Sequence, residues 1–167
     1  MKRFAIVTVV FAFLWTAALA ISSVRAHTTN RPSSTTWQSA DDVLPQGGVV
    51  IITPVLQYSW RVWPGGKIEY SFDSSRTWET QKSGVTTDLT GGSAPSAKVC
   101  WVVGKSGTIL VTTDRGKHWK KVSSPITGDI GGIFAQDGKR ASVWTPSHNQ
   151  SFETSDSGAT WTKNESN

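Results

Sequence analysis

The chain has 167 residues, with 17 Lys and Arg against 12 Asp and Glu, which is room for one domain with a modest core. Three of the basic residues, Lys2, Arg3 and Arg25, sit at the N-terminal apolar run. Without them 14 basic residues face 12 acidic ones, a net of +2, too little for the concentrated basic face of a nucleic-acid binder, so no nucleic-acid partner is expected.

Lys2 and Arg3 precede a mostly apolar run from Phe4 to Ile21, and Val24 and Ala26 place small or aliphatic residues just beyond it. Residues 1–26 therefore read as a secretory signal cut after Ala26, or as an uncleaved membrane anchor, since 18 residues (4 to 21) lie at the short edge of a membrane-spanning helix. Either reading makes the folded part periplasmic or secreted. Residues 27–47 form a polar, Ser/Thr-rich linker without periodicity, in which Trp37 is the one residue suited to docking.

Residues 48–167 show no sustained helical periodicity and divide into three units of four short strands, an all-β domain of three propeller-like blades. The first unit has strands at Val49 to Thr53, Gln57 to Trp63, Lys67 to Phe72 and Thr77 to Gln81, with a turn at Pro64-Gly65-Gly66. The second has Asp88 to Ser93, Lys98 to Val103, Thr108 to Thr113 and His118 to Val122. The third has Asp129 to Ala135, Arg140 to Thr145, Gln150 to Thr154 and Thr160 to Asn164. Cys100, the only cysteine, excludes an intrachain disulfide and reads as a buried small hydrophobe beside Trp101.

Each unit carries the same octet before its last strand: a hydroxyl residue, Asp two positions on, Gly two further, then Trp. The copies are Ser71, Asp73 and Trp78; Thr112, Asp114, Gly116 and Trp119; and Thr154, Asp156, Gly158 and Trp161, with Asp-to-Asp steps of 41 and 42 residues (73, 114, 156). Such a period matches one propeller blade. The Asp carboxylate should accept hydrogen bonds from the N–H groups just ahead, Gly supplies a positive φ, and the Trp ring should pack beneath the turn. The three Asp are thus expected to shape turns, and no metal or cofactor is expected on them. Ser75 replaces Gly in the first copy, which predicts the least regular turn there, and Asn149 replaces Gly107 in the third unit.

The octet resembles the Asp-box, or bacterial neuraminidase repeat. With the preceding Trp101-Val102-Val103-Gly104 and Gly107-Thr108-Ile109-Leu110, it is most similar to the β-propeller family of photosystem II assembly and stability factors and its bacterial relatives, over roughly 49–163. That resemblance implies a propeller-type fold and a role in assembling or stabilising a larger, membrane or photosynthetic, complex.

A second repeat aligns Asp88-Leu89-Thr90-Gly91-Gly92 with Asp129-Ile130-Gly131-Gly132 at a step of 41 (88 to 129), and puts Asp88 and Asp129 at equivalent points near the inner rim. Glycine suits inner strands that crowd one another. Three blades fall short of the usual four to eight, so apolar faces should stand open at both ends. They would be closed by a second copy completing a ring, by the three sheets folding compactly together, or by a partner protein. Arg115, Lys117, Lys120 and Lys121, with Asp88 and Asp129, are the candidate interaction surface; a solvated hairpin tip is the plainer reading of the basic residues.

The preferred function is a non-catalytic extracytoplasmic interaction module with protein partners. An extracellular carbohydrate-binding module is the alternative and would need Trp63, Trp144 or Trp37 exposed. Sialidase-type hydrolysis would need an arginine cluster and a Tyr–Glu pair, but the five arginines after the signal lack the expected setting. Gly104-Lys105-Ser106 lacks the upstream Gly of a phosphate loop, with Val99 in its place.

Overall fold

The structure is a computed structural model that describes residues 47–165. The expected signal or anchor, and the linker with Trp37, lie outside the described residues. Twelve strands make three four-stranded antiparallel sheets, each strand pairing with its neighbour in the chain. Blade 1 comprises β1 (Val49–Ile52), β2 (Ser59–Val62), β3 (Ile68–Ser71) and β4 (Glu79–Gln81). Blade 2 comprises β5 (Leu89–Ser93), β6 (Cys100–Gly104), β7 (Ile109–Thr112) and β8 (Lys120–Lys121). Blade 3 comprises β9 (Gly132–Ala135), β10 (Ala141–Trp144), β11 (Ser151–Thr154) and β12 (Thr162–Lys163). Among the described residues no helix is long and apolar enough to cross a membrane.

All twelve expected strands are present, and most are shorter than expected for identifiable reasons. The last strand of blade 2 starts at Lys120 rather than His118 because the His118 N–H is bonded to the Asp114 carboxylate and not to the ladder. In blade 3, β9 starts at Gly132 rather than Asp129 because the Ile130 N–H is bonded to the Gly104 carbonyl of blade 2. Pro64-Gly65-Gly66 turns as expected, as a single 3-10 turn with Gly65 at φ 73°.

The blades stack in series. β5 packs against β1 on one side and β9 on the other, so the first strands of the blades lie together along the inner side. Alternation along the strands gives blade 2 two apolar faces. Cys100, Val102 and Leu110 meet Ile51, Trp60, Val62 and Ile68 of blade 1 in one core. Trp101, Val103, Ile109 and Val111 meet Ile133, Ala135, Ala141 and Val143 of blade 3 in the other. The expected crowding is real at Gly92, where a Cβ would come within 2.3 Å of Ile51 on the neighbouring blade. Gly132 differs, because the group over it is the Trp144 ring of its own sheet.

The sheets fold against one another in a row, as a partial propeller. The expected apolar end faces are present in part: Val50 and Ile52 share the outward face of blade 1 with Arg61, Phe134 shares that of blade 3 with Ser142, and all three stand exposed. Along the middle strands those faces carry Arg61 and Glu69 on blade 1, and Ser142, Ser151 and Glu153 on blade 3.

Cys100 is free and wholly buried, and burial pushes its thiol well above the ordinary range. A thiol reagent such as a chromogenic disulfide should therefore not label the native protein, and should label one thiol per chain once denaturant unfolds it. Rapid labelling under native conditions would contradict this packing.

Candidate functional site

The three octets fold alike. In each, the hydroxyl of Ser71, Thr112 or Thr154 donates to the Asp Oδ1 (2.9, 2.8 and 2.8 Å) and accepts from the backbone N–H of Ser75, Gly116 or Gly158. The same Oδ1 accepts from the N–H four residues on, of Thr77, His118 or Thr160. Oδ2 takes the side chain at that position: the Thr77 or Thr160 hydroxyl, or the His118 ring at 2.6 Å. These carboxylates are turn-makers whose oxygens are already engaged. Among the described residues no group of three or more His, Cys, Asp or Glu is placed to hold a metal ion.

Two local expectations change. Ser75 sits at φ 65°, close to Gly116 at 78° and Gly158 at 76°, and keeps the full bond pattern, so the first turn is as regular as the others. Its hydroxyl is also hydrogen-bonded to that of Ser59 at 2.8 Å. In the third unit the left-handed residue is His148 (φ 55°), the counterpart of Ser106, and not Asn149.

The octet tryptophans do something that was not foreseen. Two of the three, Trp119 and Trp161, reach back across a blade interface. The Trp119 Nε1 of blade 2 donates to Gln81 Oε1 of blade 1 (3.1 Å), which also accepts from Trp60 Nε1 (3.2 Å), while Gln81 Nε2 donates to the Arg115 carbonyl (2.7 Å). Trp161 Nε1 of blade 3 donates to the Ser123 carbonyl after blade 2 (2.8 Å). Trp78, in the first blade of the described residues, stacks under the Arg61 guanidinium at 4.2 Å.

Asp88 and Asp129 act at the opposite rim. Asp88 accepts from the Gly65 N–H of blade 1 (3.0 Å) and pairs with Lys105 (2.8 Å), which holds its carboxyl below the ordinary range. Asp129 accepts from the Ser106 N–H of blade 2 (3.1 Å). Both latch a blade to the preceding blade's hairpin, so the geometry assigns them to the interface between blades.

The basic residues do not form one patch. Arg115 and Lys117 line a shallow depression with Lys98 and Thr113, whereas Lys120 lines another beside His118 and Trp119. Lys120 pairs with Val111 and Lys121 with Leu110, which puts the two on opposite faces of β8. As β8 is an outer edge strand, its exposed lysines also discourage edge pairing with other chains.

The feature shared by all three blades is a trough of about 510 Å³ along their inner strands, lined by β1, β5 and β9 with Pro54, Ala94 and Pro95. No charged side chain lines it. Ile52, Phe134 and Val50 stand 63%, 58% and 39% exposed at its walls. These residues were read only as strand positions; the signal was an unbroken aliphatic β1, half of which had to point away from the blade interface. The polar depression on blade 3, around Ser142 and Glu153, has one carboxylate and so lacks the pair that glycoside hydrolysis needs. Trp63 is 8% exposed, and Trp144 is half-buried over Gly132 with His148 stacked 6.0 Å away.

The fold is of propeller type, represented here by three consecutive blades. In particular, the chain is similar to YCF48 bound to a D1 peptide (TM-score 0.61, 22% identity, covering 69% of this chain and 38% of that one). It is also similar to YCF48 from Cyanidioschyzon merolae (TM-score 0.60, 24% identity, 72% and 38%). An ancestral GH74 enzyme shares the fold at TM-score 0.52 and 12% identity, over 71% of this chain and 18% of the enzyme. The chain thus spans about two fifths of the length of the YCF48 structures, and at these identities the likeness establishes the fold and not an activity. No protein-family model and no curated protein matches the chain.

The turn carboxyls bear directly on acid stability. The Thr77 hydroxyl and N–H hold Asp73 down to about 2, and the Thr160 hydroxyl and N–H do the same for Asp156. At Asp114 partial desolvation pushes upward, but the His118 N–H and ring and the Thr112 hydroxyl outweigh it, to about 2. Folded values below the unfolded ones stabilise the native state above pH ~4. That stabilisation is lost as pH falls from about 4 to about 2. The melting temperature should therefore be flat above pH ~5 and fall steeply below pH ~4. Asp114→Ala should lower stability at neutral pH by about 1 kcal/mol, a modest figure because the carboxylate is partly exposed. An unchanged melt for Asp114→Ala would contradict the turn role.

Proposed function

We propose that the chain is a non-catalytic, extracytoplasmic protein-binding module that helps assemble or stabilise a larger complex and holds an extended segment of its partner in the inner-strand trough. The observation that carries this reading is the trough itself: shallow, mixed in polarity, free of charged side chains and walled by exposed Ile52, Val50 and Phe134. Acid–base chemistry needs titratable groups, and none lines it. An extended peptide suits such a floor, because its alternate side chains fill apolar hollows while its backbone meets strand edges.

Three further points support the reading. A YCF48 structure to which the chain is similar is bound to a D1 peptide. The sequence resembles photosystem II assembly and stability propellers. The apolar N-terminal run, read as a signal or anchor, puts the module outside the cytoplasm, against a membrane if the run is retained.

Purification of the native protein from solubilised membranes should recover a multi-subunit complex. Ile52→Ser and Phe134→Ser should each weaken partner binding by about tenfold, the loss of one buried apolar side chain. Lys117→Ala should leave it nearly unchanged. Full binding by the double Ile52→Ser, Phe134→Ser variant, or a native protein recovered without any partner, would overturn the proposal.

A further inference from the structure

At one end of the blades, where the octet turns lie, the three units can be compared residue by residue. The N–H groups of Ser74, Arg115 and Ser157 bond the carbonyls of Gln57, Lys98 and Lys139, so each octet turn rests against the tip of the hairpin that opens its own blade. Counting in steps of 41 (57, 98, 139), Val55 and Leu56 of the β1–β2 tip correspond to Ser96 and Ala97 in blade 2 and to Asp137 and Gly138 in blade 3. Hairpin tips favour polar and turn-forming residues. Blade 1 instead leaves Val55 53% and Leu56 74% exposed. Beside the tip, the residue before the octet Asp is Phe72, 46% exposed, where the other blades have Thr113 and Ser155.

The tip is closed by its own hydrogen bonds. The Val55 carbonyl accepts from the Thr53 hydroxyl (2.6 Å) and from the Tyr58 N–H (2.9 Å), and Thr53 itself is buried. The aliphatic side chains therefore project from a loop whose polar backbone is partly satisfied from within, which eases entry into an apolar phase. Cations stand around it. Arg76 lies on the blade 1 turn, and Lys98 and Arg115 line a depression of about 360 Å³ on blade 2, with the Arg115 guanidinium 5.7 Å from the centre of the Tyr58 ring. None of these three has an ion partner among the described residues, whereas both oxygens of Asp73 and Asp114 are engaged in their turns. An unpaired carboxylate, Glu79 at the start of β4, offsets them only in part.

We propose that this end of blades 1 and 2 docks on an anionic phospholipid bilayer, with Val55, Leu56 and Phe72 entering between the headgroups and Arg76, Lys98 and Arg115 meeting the phosphates. A projecting aliphatic tip ringed by unpaired cations matches the layering of a bilayer surface, where anionic phosphate lies over an apolar interior. Buried apolar area and attraction to anionic lipid add together in such binding. Val55, Leu56 and Phe72 do not line the trough. No protein partner enters the test below, so its failure would leave the trough's role untouched.

Because Cys100 is buried, Gln57→Cys supplies the one reactive thiol beside the tip. Thr127→Cys supplies one at the opposite end, next to Gly128, whose carbonyl accepts from the Gly107 N–H of the β6–β7 hairpin. The full chain, carrying a polarity-sensitive fluorophore at either position, is mixed with vesicles of phosphatidylcholine and phosphatidylglycerol. The dye at 57 should shift to the blue and be quenched by lipids bearing a nitroxide near the headgroup, while the dye at 127 should do neither. Both signals at 57 should be lost with Val55→Ser and Leu56→Ser together, and weakened with Lys98→Gln or in vesicles of phosphatidylcholine alone. No response at 57, equal responses at 57 and 127, or a response that survives the double serine variant would refute the docking. A tip that ignores vesicles and is captured by a protein would assign this surface to a protein partner and refute it too.

Discussion

An indole that crosses from one sheet to the next is the contact on which the arrangement of blades depends. Burial supplies most of the stability: Trp60 and Trp101 are wholly inaccessible, and each large side chain so buried contributes about 1.5 to 3 kcal/mol. Apolar packing alone would let the sheets slide or rotate on one another. The hydrogen bonds from Trp119 to Gln81, and from Trp161 to the Ser123 carbonyl, select one alignment. Each is worth only about 1 kcal/mol net, but it is directional where packing is not. Asp88 and Asp129 repeat the device at the opposite rim, so each interface is held at two places.

Held in this way, the sheets bring their first strands together and form the trough as a by-product of the stacking. No single blade contains it; Ile52 comes from blade 1, Pro95 from the β5–β6 loop of blade 2 and Phe134 from blade 3. Its exposed walls lie on the same faces as the charged and hydroxyl residues of the middle strands. The sequence is thus partitioned strand by strand: the innermost strands keep exposed aliphatic and aromatic residues, whereas the middle strands of the end blades carry charges and hydroxyls.

Much of the fold was legible because the repeat is carried by residues whose chemistry is local. Asp73, Asp114 and Asp156 bond N–H groups within four residues, so their role follows from spacing alone. Long-range contacts were not legible in the same way. Nothing in the order of residues shows that Gln81 meets an indole 38 positions away, or that Asp88 reaches Gly65. The octet tryptophans were assigned to their own turns because the alternative needs the neighbouring sheet in place. The trough was hidden for the same reason.

The account comes down to an open arc of three stitched blades that receives a protein segment along its inner side. The turns and edge strands, with their engaged carboxylates and exposed lysines, serve folding and solubility. A photo-crosslinking amino acid placed at position 134 in living cells tests the claim most directly, with position 117 on the outer hairpin as the comparison. The account predicts a crosslinked protein partner at 134 and little at 117. Efficient capture at 117 with none at 134 would place the binding surface on the outer hairpin and contradict it.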